Sequence, residues 1–476
     1  MESIEREKHR SMGRKSLTLA LCGGYFLVLL DVTVVNVALP SIGAGLGASS
    51  SGLAWVVDAY TVPLAALLLA AGAVGDRLGH RTVVLSGFIG FFVASVICAV
   101  AWAVPVLIAG RALQGVSAAL MLPGTLALLS SAAPSDQARA RVVGLWAAVG
   151  GCALPAGPFI GGLLVQGVGW RAVFWLNVPV ILLALLPVLR PAQSAAGGRG
   201  ERLGVGAGGR GERLGVGAGG RVDWLGAGVL AMTLGVLVTA IIERAPLLLL
   251  VAVVGAVVLR VVERRADPPL LTVSSPARWP LAAACGVAGL MNFCVLGSLF
   301  LLTQLFQDVH GLSPLIAGLL LLPGMLPLPL LGAPAGRLVH QIGAWRTSAL
   351  GLGLAAVGFV GIAFSVGRPV YPMLLVALAV WGAGLGVLTP AIVTAAMRTV
   401  PSAPGIASGA SNTARQTGGA LGVALFAAIA GSAAASGFAR HAMWLFAAGA
   451  VVFAAEAVFG AVYEGAPVPA GAPAQR

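Results

Sequence analysis

Charged side chains interrupt apolar runs at three places in the first quarter of this sequence. Asp31 lies in LVLLDVTVVNVALP, Asp58 lies in WVVDAYTVPL, and Arg111 lies in GRALQG. A charged residue at the centre of a membrane helix costs about 2.5–3.5 kcal/mol on insertion scales, and such residues usually line a path for protons, ions or substrates. A carboxylate beside a guanidinium can take up and release a proton. The three residues are therefore a candidate site for proton coupling and translocation.

The apolar runs around these residues are the elements that must position them. Of 476 residues, 58% are hydrophobic and 9% are charged, whereas a soluble domain has about 25% charged residues. The sequence contains fourteen apolar runs of about twenty residues, the length at which a helix crosses a hydrocarbon core of about 30 Å. The alternating segments of about ten residues that form membrane β-barrels do not occur. The sequence predicts an all-α polytopic membrane protein.

The net charge is +13, and the positions of the basic residues along the chain follow the predicted membrane topology. With the N-terminus inside, most Lys and Arg residues fall in the tails and the inward loops, which is the positive-inside pattern. The exceptions in outward loops are Arg171, Arg244, Arg368 and Arg440. We therefore expect both termini to lie in the cytoplasm. We also expect the protein to contact membrane lipid and not to bind nucleic acid.

This orientation gives a depth to each of the three charged residues. At 1.5 Å per residue, Asp31, Arg111 and Asp58 lie about 12, 10 and 8 Å from the outer ends of their runs. Because they share a level, we expect an Asp31–Arg111 pair with Asp58 nearby. A purely structural ion pair is the alternative, although buried static pairs stabilise proteins poorly.

The organisation of the chain is that of two related halves. The loop GAVGDRLGHR after the second run is echoed by GRLVHQIGAWR after the tenth, and parallel halves of this kind are typical of one large transporter architecture. A duplicated GGRGERLGVGA within 197–220 predicts a flexible linker. The predicted segments are an N-terminal cytoplasmic tail 1–16, a six-helix bundle 17–190, the linker 191–222, two additional helices 223–262, a cytoplasmic loop 263–278, a second six-helix bundle 279–463 and a C-terminal tail 464–476.

Five motifs occur in order: LDVTVVNVALP, GAVGDRLGHR, RALQG, AGPFIGG and VDWLG. Together they resemble the major facilitator superfamily, in particular its fourteen-helix drug:proton antiporter branch. The resemblance implies two six-helix bundles with two extra helices inserted between them. It also implies that GAVGDRLGHR clamps the halves together on the cytoplasmic side as a conformational latch, against the plainer interpretation of a positively charged turn. The latch residues are Gly72, Asp76, Arg77, Gly79 and Arg81.

The resemblance associates AGPFIGG with antiport, and hence with export rather than uptake. Its residues are Gly157, Pro158, Gly161 and Gly162. Candidate residues of a substrate cavity are Asn36, Gln114 and Glu456. The prolines of the tenth run (Pro323, Pro327 and Pro329) predict a broken helix near such a cavity.

These features predict a proton-coupled exporter of lipophilic drug- or antibiotic-like small molecules in a bacterial cytoplasmic membrane, acting as a monomer. A transporter dedicated to one natural product or metabolite is the alternative, and an importer is a further one. We expect no enzyme activity or cofactor, because the lysines (Lys8 and Lys15) precede the first run and leave no phosphate-binding loop. We expect no metal site, because the five cysteines lie inside the apolar runs with no Cys-x-x-Cys pair. The acids Asp31 and Asp58 favour monovalent cations or neutral compounds as substrates.

Overall fold

The computed structural model of the chain describes residues 2–133, 135–189, 223–266, 275–367, 370–401 and 404–463. Every regular element in these ranges is a helix, which confirms the predicted all-α class. The first half contains α1 (Glu2–Leu46), α2 (Ser50–Leu78), α3 (His80–Ala99), α4 (Val104–Ala132), α5 (Asp136–Gly167), α6 (Arg171–Trp175) and α7 (Asn177–Leu189). Residues 2–16 of the predicted tail are therefore helical and form the beginning of α1.

The remaining helices follow the predicted linker. They are α8 (Trp224–Ile242), α9 (Pro246–Arg265), α10 (Ser275–Gln304) with a π-helical segment (Leu305–Val309), α11 (Pro314–Met325), α12 (Pro327–Ile342), α13 (Ala344–Val366), α14 (Tyr371–Thr399), α15 (Pro404–Ala430) and α16 (Phe438–Val462). The tenth run is broken at Leu326, as its prolines predict. The linker 191–222 and the tail 464–476 lie outside the described residues, so the domain boundaries stay predictions.

Thirteen helical stretches within the described residues are long and apolar enough to cross a membrane. The fourteenth predicted span corresponds to α15, which is not among the thirteen because several polar residues lower its hydropathy. These are Ser411, Asn412, Thr413, Arg415 and Gln416. The 27 residues of α15 would extend about 40 Å, which is enough to cross the bilayer. It packs between α10 and α2.

Close helix contacts in both halves depend on glycine. In the first half α1 packs on α5, while α2 and α3 pack on α4. A Cβ atom added to Gly161 of α5 would lie 3.0 Å from the carbonyl oxygen of Val34 in α1. In the second half α13 packs on α14 and α10 packs on α15, and a Cβ added to Gly358 of α13 would lie 2.5 Å from the Trp381 nitrogen. Small residues of this kind let membrane helices approach closely.

The echoed loops have matching backbones. Gly79 between α2 and α3 has φ 88°, and Gly343 between α12 and α13 has φ 89°. Glycine adopts this positive φ without the steric cost that other residues meet. The sequence echo thus corresponds to the same tight turn at equivalent places in the two halves.

The two halves contact each other through α2 with α15 and through α5 with α11, and the hairpin α8–α9 packs outside them. Helix α8 contacts both α2 and α15, whereas α9 exposes apolar side chains such as Leu247 (76% exposed). At the turn of the hairpin, Trp55 Nε1 donates to Glu243 Oε1 at 3.0 Å, and Arg244 donates to the Ala428 carbonyl. The inserted hairpin is thereby hydrogen-bonded to one helix of each half.

Candidate functional site

Asp31 of α1 and Arg111 of α4 form a buried ion pair in the first half. Asp31 is 0% exposed and Arg111 is 1% exposed, and Arg111 Nη1 donates directly to Asp31 Oδ2. The contact joins two helices that are brought together around the bundle core. The pairing that the sequence predicts from depth is present in the structure.

Arg111 is held in place by further contacts on its own helix and on α2. Its Nε donates to the Val56 carbonyl at 3.0 Å, and Nη1 donates to Gln114 Oε1 at 2.9 Å. The guanidinium carbon lies 4.4 Å from the centroid of the Tyr60 ring, a cation–π distance. The Tyr60 hydroxyl in turn donates to the Val28 carbonyl at 3.0 Å, which ties α2 to α1.

The second oxygen of Asp31 is also hydrogen-bonded. Asn177, the first residue of α7, lies with Nδ2 3.4 Å from Asp31 Oδ1 and 3.4 Å from Ser95 Oγ. Gln114 Nε2 donates to the same Ser95 hydroxyl at 2.9 Å. Asp31, Arg111, Gln114, Ser95 and Asn177 thus form one connected set, which we call the coupling network. It draws on α1, α3, α4 and α7.

The coupling network compensates both of its charges in the arrangement that the structure shows. Asp31 and Arg111 each have the other as a charged partner, and each also has at least one neutral hydrogen-bond partner. A proton delivered to Asp31 would remove the negative charge, and Arg111 would then keep only the Val56 carbonyl and Gln114. Because unpaired charges are costly in a low-dielectric interior, that event would favour a rearrangement of the helices around Arg111.

Ser95, Asn177 and Tyr60 are members or supports of the site that the sequence did not reveal. The available signal was the amide of Asn177 within the apolar stretch RAVFWLNVPV, and Ser95 within FFVASVICAV. Gln114, predicted as a cavity residue, is hydrogen-bonded to Arg111 and Ser95 within the coupling network, and its role in a cavity stays a prediction.

Asp58 is not among the hydrogen-bond or ion-pair partners of Arg111 in the described residues. It is 0% exposed, its Oδ1 accepts from Thr61 Oγ1 at 3.2 Å, and its Oδ2 has no hydrogen-bond partner among the described residues. Leu69, three helical turns later on the same face of α2, lies beside Gly409 of α15. The expected third member of the charge cluster therefore lies on the face of α2 directed toward the other half.

The other candidate cavity residues lie apart from the coupling network. Asn36 is buried in α1, where its Nδ2 donates to the Val32 carbonyl at 2.7 Å and its Oδ1 has no partner in the described residues. Glu456 of α16 is 8% exposed, and neither carboxylate oxygen has a hydrogen-bond partner in the same ranges. The structure thus separates these two residues between the two halves.

The predicted latch loop has contacts within the first half. Asp76 Oδ1 lies 3.1 Å from His80 Nε2, one turn along the chain. Arg81 donates to the carbonyls of Val188 at 2.9 Å and Leu189 at 3.0 Å, at the C-terminal end of α7. A cation at a helix C-terminus is stabilised by the helix dipole. The loop is anchored to α7.

The remaining latch residues, Gly72, Arg77 and Gly79, have simpler surroundings. Arg77 is exposed, Gly79 has the positive φ described above, and a Cβ on Gly72 would lie 4.0 Å from Pro123 of α4. In the echoed loop, His340 is exposed in the last turn of α12. A clamp between the two halves stays a prediction.

The AGPFIGG motif of α5 faces both α1 and α11. A Cβ on Gly157 would collide with Thr33 of α1, and Gly161 packs on Val34 of the same helix. A Cβ on Gly162 would lie 2.7 Å from the Pro314 carbonyl oxygen, and the carbonyl of Pro158 is in turn packed against Gly318. The motif therefore forms part of the contact between the two halves, at the end of α5 that is predicted to lie outside.

The described residues contain no group of three or more His, Cys, Asp or Glu side chains that could hold a metal ion.

Comparison with known proteins adds to this geometry. Residues 21–423 match the family described as Major Facilitator Superfamily. The chain is 34% identical over 422 residues to the methylenomycin A resistance protein of Bacillus subtilis (strain 168), covering 86% of each. It is 34% identical over 428 residues to the tetracenomycin C resistance and export protein of Streptomyces glaucescens, covering 87% of this chain and 75% of that protein.

A solved structure shows the same fold. The crystal structure of the human organic anion transporter MFSD10 (TETRAN) aligns with a TM-score of 0.62 over 94% of this chain and 99% of that one. At 18% identity this likeness concerns the fold alone.

Proposed function

Because the chain belongs to the Major Facilitator Superfamily, we propose that this multi-pass membrane transporter exports lipophilic drug- or antibiotic-like molecules in exchange for protons. Two relatives over 86–87% of the chain are named for resistance to methylenomycin A and for resistance to and export of tetracenomycin C. A third, of Mycobacterium tuberculosis (strain CDC 1551 / Oshkosh), is named a multidrug resistance protein, at 31% identity. The proposed location is a bacterial cytoplasmic membrane, with both termini in the cytoplasm.

The single observation that carries the proton coupling is the buried Asp31–Arg111 pair. A carboxylate enclosed by four helices has access to protons only when the helices move, so its protonation state follows the conformation of the transporter. Each proton that enters supplies about 2.3 kcal/mol per 100 mV of membrane potential and about 1.4 kcal/mol per pH unit. Protonation breaks the ion pair, and deprotonation restores it.

The export direction follows from coupling this switch to substrate. In our proposal a substrate enters from the cytoplasm while Asp31 is protonated, and loss of that proton to the inside re-forms the pair with Arg111. The pair is then formed as in the structure, and the two halves must separate from this arrangement before substrate leaves outward. The AGPFIGG contact between α5 and α11 would open during this step, because it joins the two halves at the outer end.

The proposed partners are protons, a small-molecule substrate and membrane lipid, and the transporting unit is one chain. A narrower exporter, dedicated to one natural product, is favoured by the relatives named for a single antibiotic. A drug-susceptibility panel in a host deleted for its own pumps separates the two, since a dedicated exporter raises resistance to one compound class. Everted membrane vesicles expose the cytoplasmic face, so an exporter accumulates the compound inside them and an importer does not.

The test of coupling uses a compound from that panel and purified protein in proteoliposomes with an imposed pH gradient. We expect Asp31→Asn to abolish uphill transport and substrate-induced proton flux while downhill exchange of substrate stays measurable. Asp308→Asn, at an exposed aspartate of the π-helical segment, is the matched control and should transport normally. Full proton-driven transport by Asp31→Asn would remove Asp31 from the mechanism and leave Asp58 as the remaining candidate.

A further inference from the structure

The turn of the inserted hairpin contains an arginine at a position where helices commonly have glycine. Arg244 has φ 52°, and it is the one non-glycine residue with a positive φ in the described ranges. Its N–H donates to the Ile241 carbonyl and the Ala245 N–H donates to the Ala240 carbonyl, which is the Schellman arrangement at the end of a helix. The left-handed position in that arrangement is usually glycine, because a Cβ atom makes this backbone conformation costly. An arginine here indicates that its side chain has a role.

The Arg244 side chain binds the second half of the molecule. Its guanidinium donates to the carbonyl of Ala428, which is one of the last four residues of α15. The last four carbonyls of a helix have no partner within the helix, and the helix dipole favours a cation beside them. The contact therefore satisfies the end of α15 and holds Arg244 in its strained backbone conformation.

The residue before Arg244 binds the first half. Glu243 Oε1 accepts from Trp55 Nε1 of α2 at 3.0 Å. Trp55 lies near the start of α2 and Ala428 near the end of α15, so both contacts are at the ends of these helices that are predicted to lie outside. Two consecutive residues of the turn thus join α2 to α15, the helices through which the halves contact each other.

A cavity lies between the two helix ends at the turn. Its volume is about 260 Å³, and it is lined by residues 49–51 at the start of α2, by Ile242 and Arg244 of the turn, and by the C-terminal end of α15. Ala427 is part of that wall and is 5% exposed. Because side chains do not fill this space, the hydrogen bonds of the turn connect the two helix ends here more than packing does.

We propose that Glu243 and Arg244 form a strap, which holds the outer ends of α2 and α15 together in the arrangement that the structure shows. Helix α8 packs more extensively on α2 than on α15, so the hairpin follows the first half when the halves separate. The bond that breaks is then the one between Arg244 and Ala428. The proposal rests on the proposed function in one respect, since it requires that the outer ends separate during transport.

Two opposing effects act on the strap. The bond to Ala428 favours the closed arrangement, whereas the strained backbone of Arg244 favours release, because the turn can relax once the side chain is free. A contact balanced in this way lets the halves part and meet again in each cycle. Substitutions at Arg244 can remove the two effects one at a time.

The test measures how fast a cysteine in the cavity wall reacts. Ala427→Cys places a small thiol at this buried position, and we expect a membrane-impermeant maleimide to reach it from outside when the strap is released. Labelling is followed in intact cells treated with an uncoupler and without added drug. The chain without Ala427→Cys gives the background from the native cysteines.

Variants in the Ala427→Cys parent separate the bond from the strain. Arg244→Ala removes the bond and keeps a Cβ at the strained position, so labelling should be about fivefold or more faster than in the parent, as the loss of one hydrogen bond predicts. Arg244→Gly removes the bond and the strain together, so its rate should lie between those of Arg244→Ala and the parent. Trp55→Phe should raise the rate less than Arg244→Ala, because α8 stays packed on α2.

Arg440→Ala is the matched control for the loss of a positive charge. Arg440 is an exposed arginine near the start of α16, predicted to lie on the same side of the membrane, and its variant should label as the parent does. Thermal unfolding in detergent establishes that each variant is folded.

Four results would overturn the proposal. These are an unchanged rate in Arg244→Ala, an equal increase in Arg440→Ala, faster labelling of Arg244→Gly than of Arg244→Ala, and faster labelling of Trp55→Phe than of Arg244→Ala. The last of these would mean that the hairpin follows the second half. Because the assay uses neither a proton gradient nor substrate, failure of proton-driven transport with the order of rates intact would contradict the proposed coupling and leave the strap standing.

Discussion

The Asp31–Arg111 pair of the first half and the buried charged groups of the second half have different surroundings. In the first half Asp31 and Arg111 have a charged partner and further hydrogen bonds. In the second half Ser298 Oγ, Arg415 Nε and both oxygens of Glu456 are buried with no partner among the described residues. Asn36 and Asp58 of the first half also leave one oxygen without a partner, but each is hydrogen-bonded through another side-chain atom.

This difference suggests a division of labour. A buried polar atom that loses its partner costs about 1–3 kcal/mol, so a connected network resists change until a proton alters one member. Groups that already lack partners gain stability when a ligand supplies them. In our interpretation the first half senses protons, and the unpartnered groups of the second half are available to a ligand. The predictions below test this contrast.

The largest effect should come from removing one partner of the closed pair. Arg111→Gln leaves the Asp31 carboxylate buried without a cation, and we expect a loss of about 3–5 kcal/mol in unfolding free energy. Thermal unfolding of purified protein in detergent measures the change, with Arg398→Gln as the control at an exposed site. The double variant Asp31→Asn with Arg111→Gln should recover part of the loss. Equal melting of Arg111→Gln and Arg398→Gln would show that the pair does not stabilise the first half.

A smaller effect is expected where the two halves touch through α5 and α11, at the ends predicted to lie outside. In Gly162→Ala the new Cβ would lie 2.7 Å from the Pro314 carbonyl oxygen and 2.8 Å from Leu315 Cα, both backbone atoms. Overpacking costs about 1–3 kcal/mol, so the state closed at this contact should lose about fivefold or more in population. Accessibility of a cysteine placed at Leu315, which is half-buried at this contact, to a membrane-impermeant maleimide should rise.

Gly167→Ala is the matched control for that substitution, because it lies five residues later in α5 and an added Cβ meets nothing within 4 Å. Both variants would carry the Leu315→Cys label. If the two label equally slowly, the AGPFIGG motif is not part of a closing contact, and its role is limited to packing against α1.

The sequence was sufficient for the fold class and for the Asp31–Arg111 pair, because both follow from distances along the chain. The length of an apolar run predicts a span, and the number of residues from its end gives a depth. The polar helix α15 shows where run length fails, since a helix surrounded by other helices does not have to be apolar.

Asp58 shows what depth alone leaves undetermined. It lies at the predicted level, but Arg111 contacts Val56 and Tyr60, which stand two residues before and after it. Positions two apart on a helix differ by about 200° in direction, so Asp58 points away from the pair. Asn177 and Ser95 could not be predicted either, because their contribution depends on how α7 and α3 pack around the ion pair.

A modest effect is expected at the hydrogen bond that ties the inserted hairpin to the first half. Trp55→Phe keeps an aromatic ring and removes the donor to Glu243, a partly exposed contact worth about 0.5–1.5 kcal/mol. Trp224→Phe, at the exposed start of α8, provides the same exchange without that bond. A double-variant cycle with Glu243→Gln in thermal unfolding isolates the interaction. A coupling energy of zero would mean that the hairpin is held by apolar packing.

The smallest effect should come from a buried carboxyl that has no partner to lose. Glu456→Gln keeps the size of the side chain, and neither oxygen of Glu456 accepts a hydrogen bond from the described residues. We therefore expect no loss of unfolding free energy for Glu456→Gln, because the substitution breaks no hydrogen bond or ion pair among the described residues. The same detergent assay that measures Arg111→Gln gives both values on one scale. A loss for Glu456→Gln as large as that for Arg111→Gln would mean that the second half also holds a closed network around Glu456, and the contrast between the halves would no longer stand.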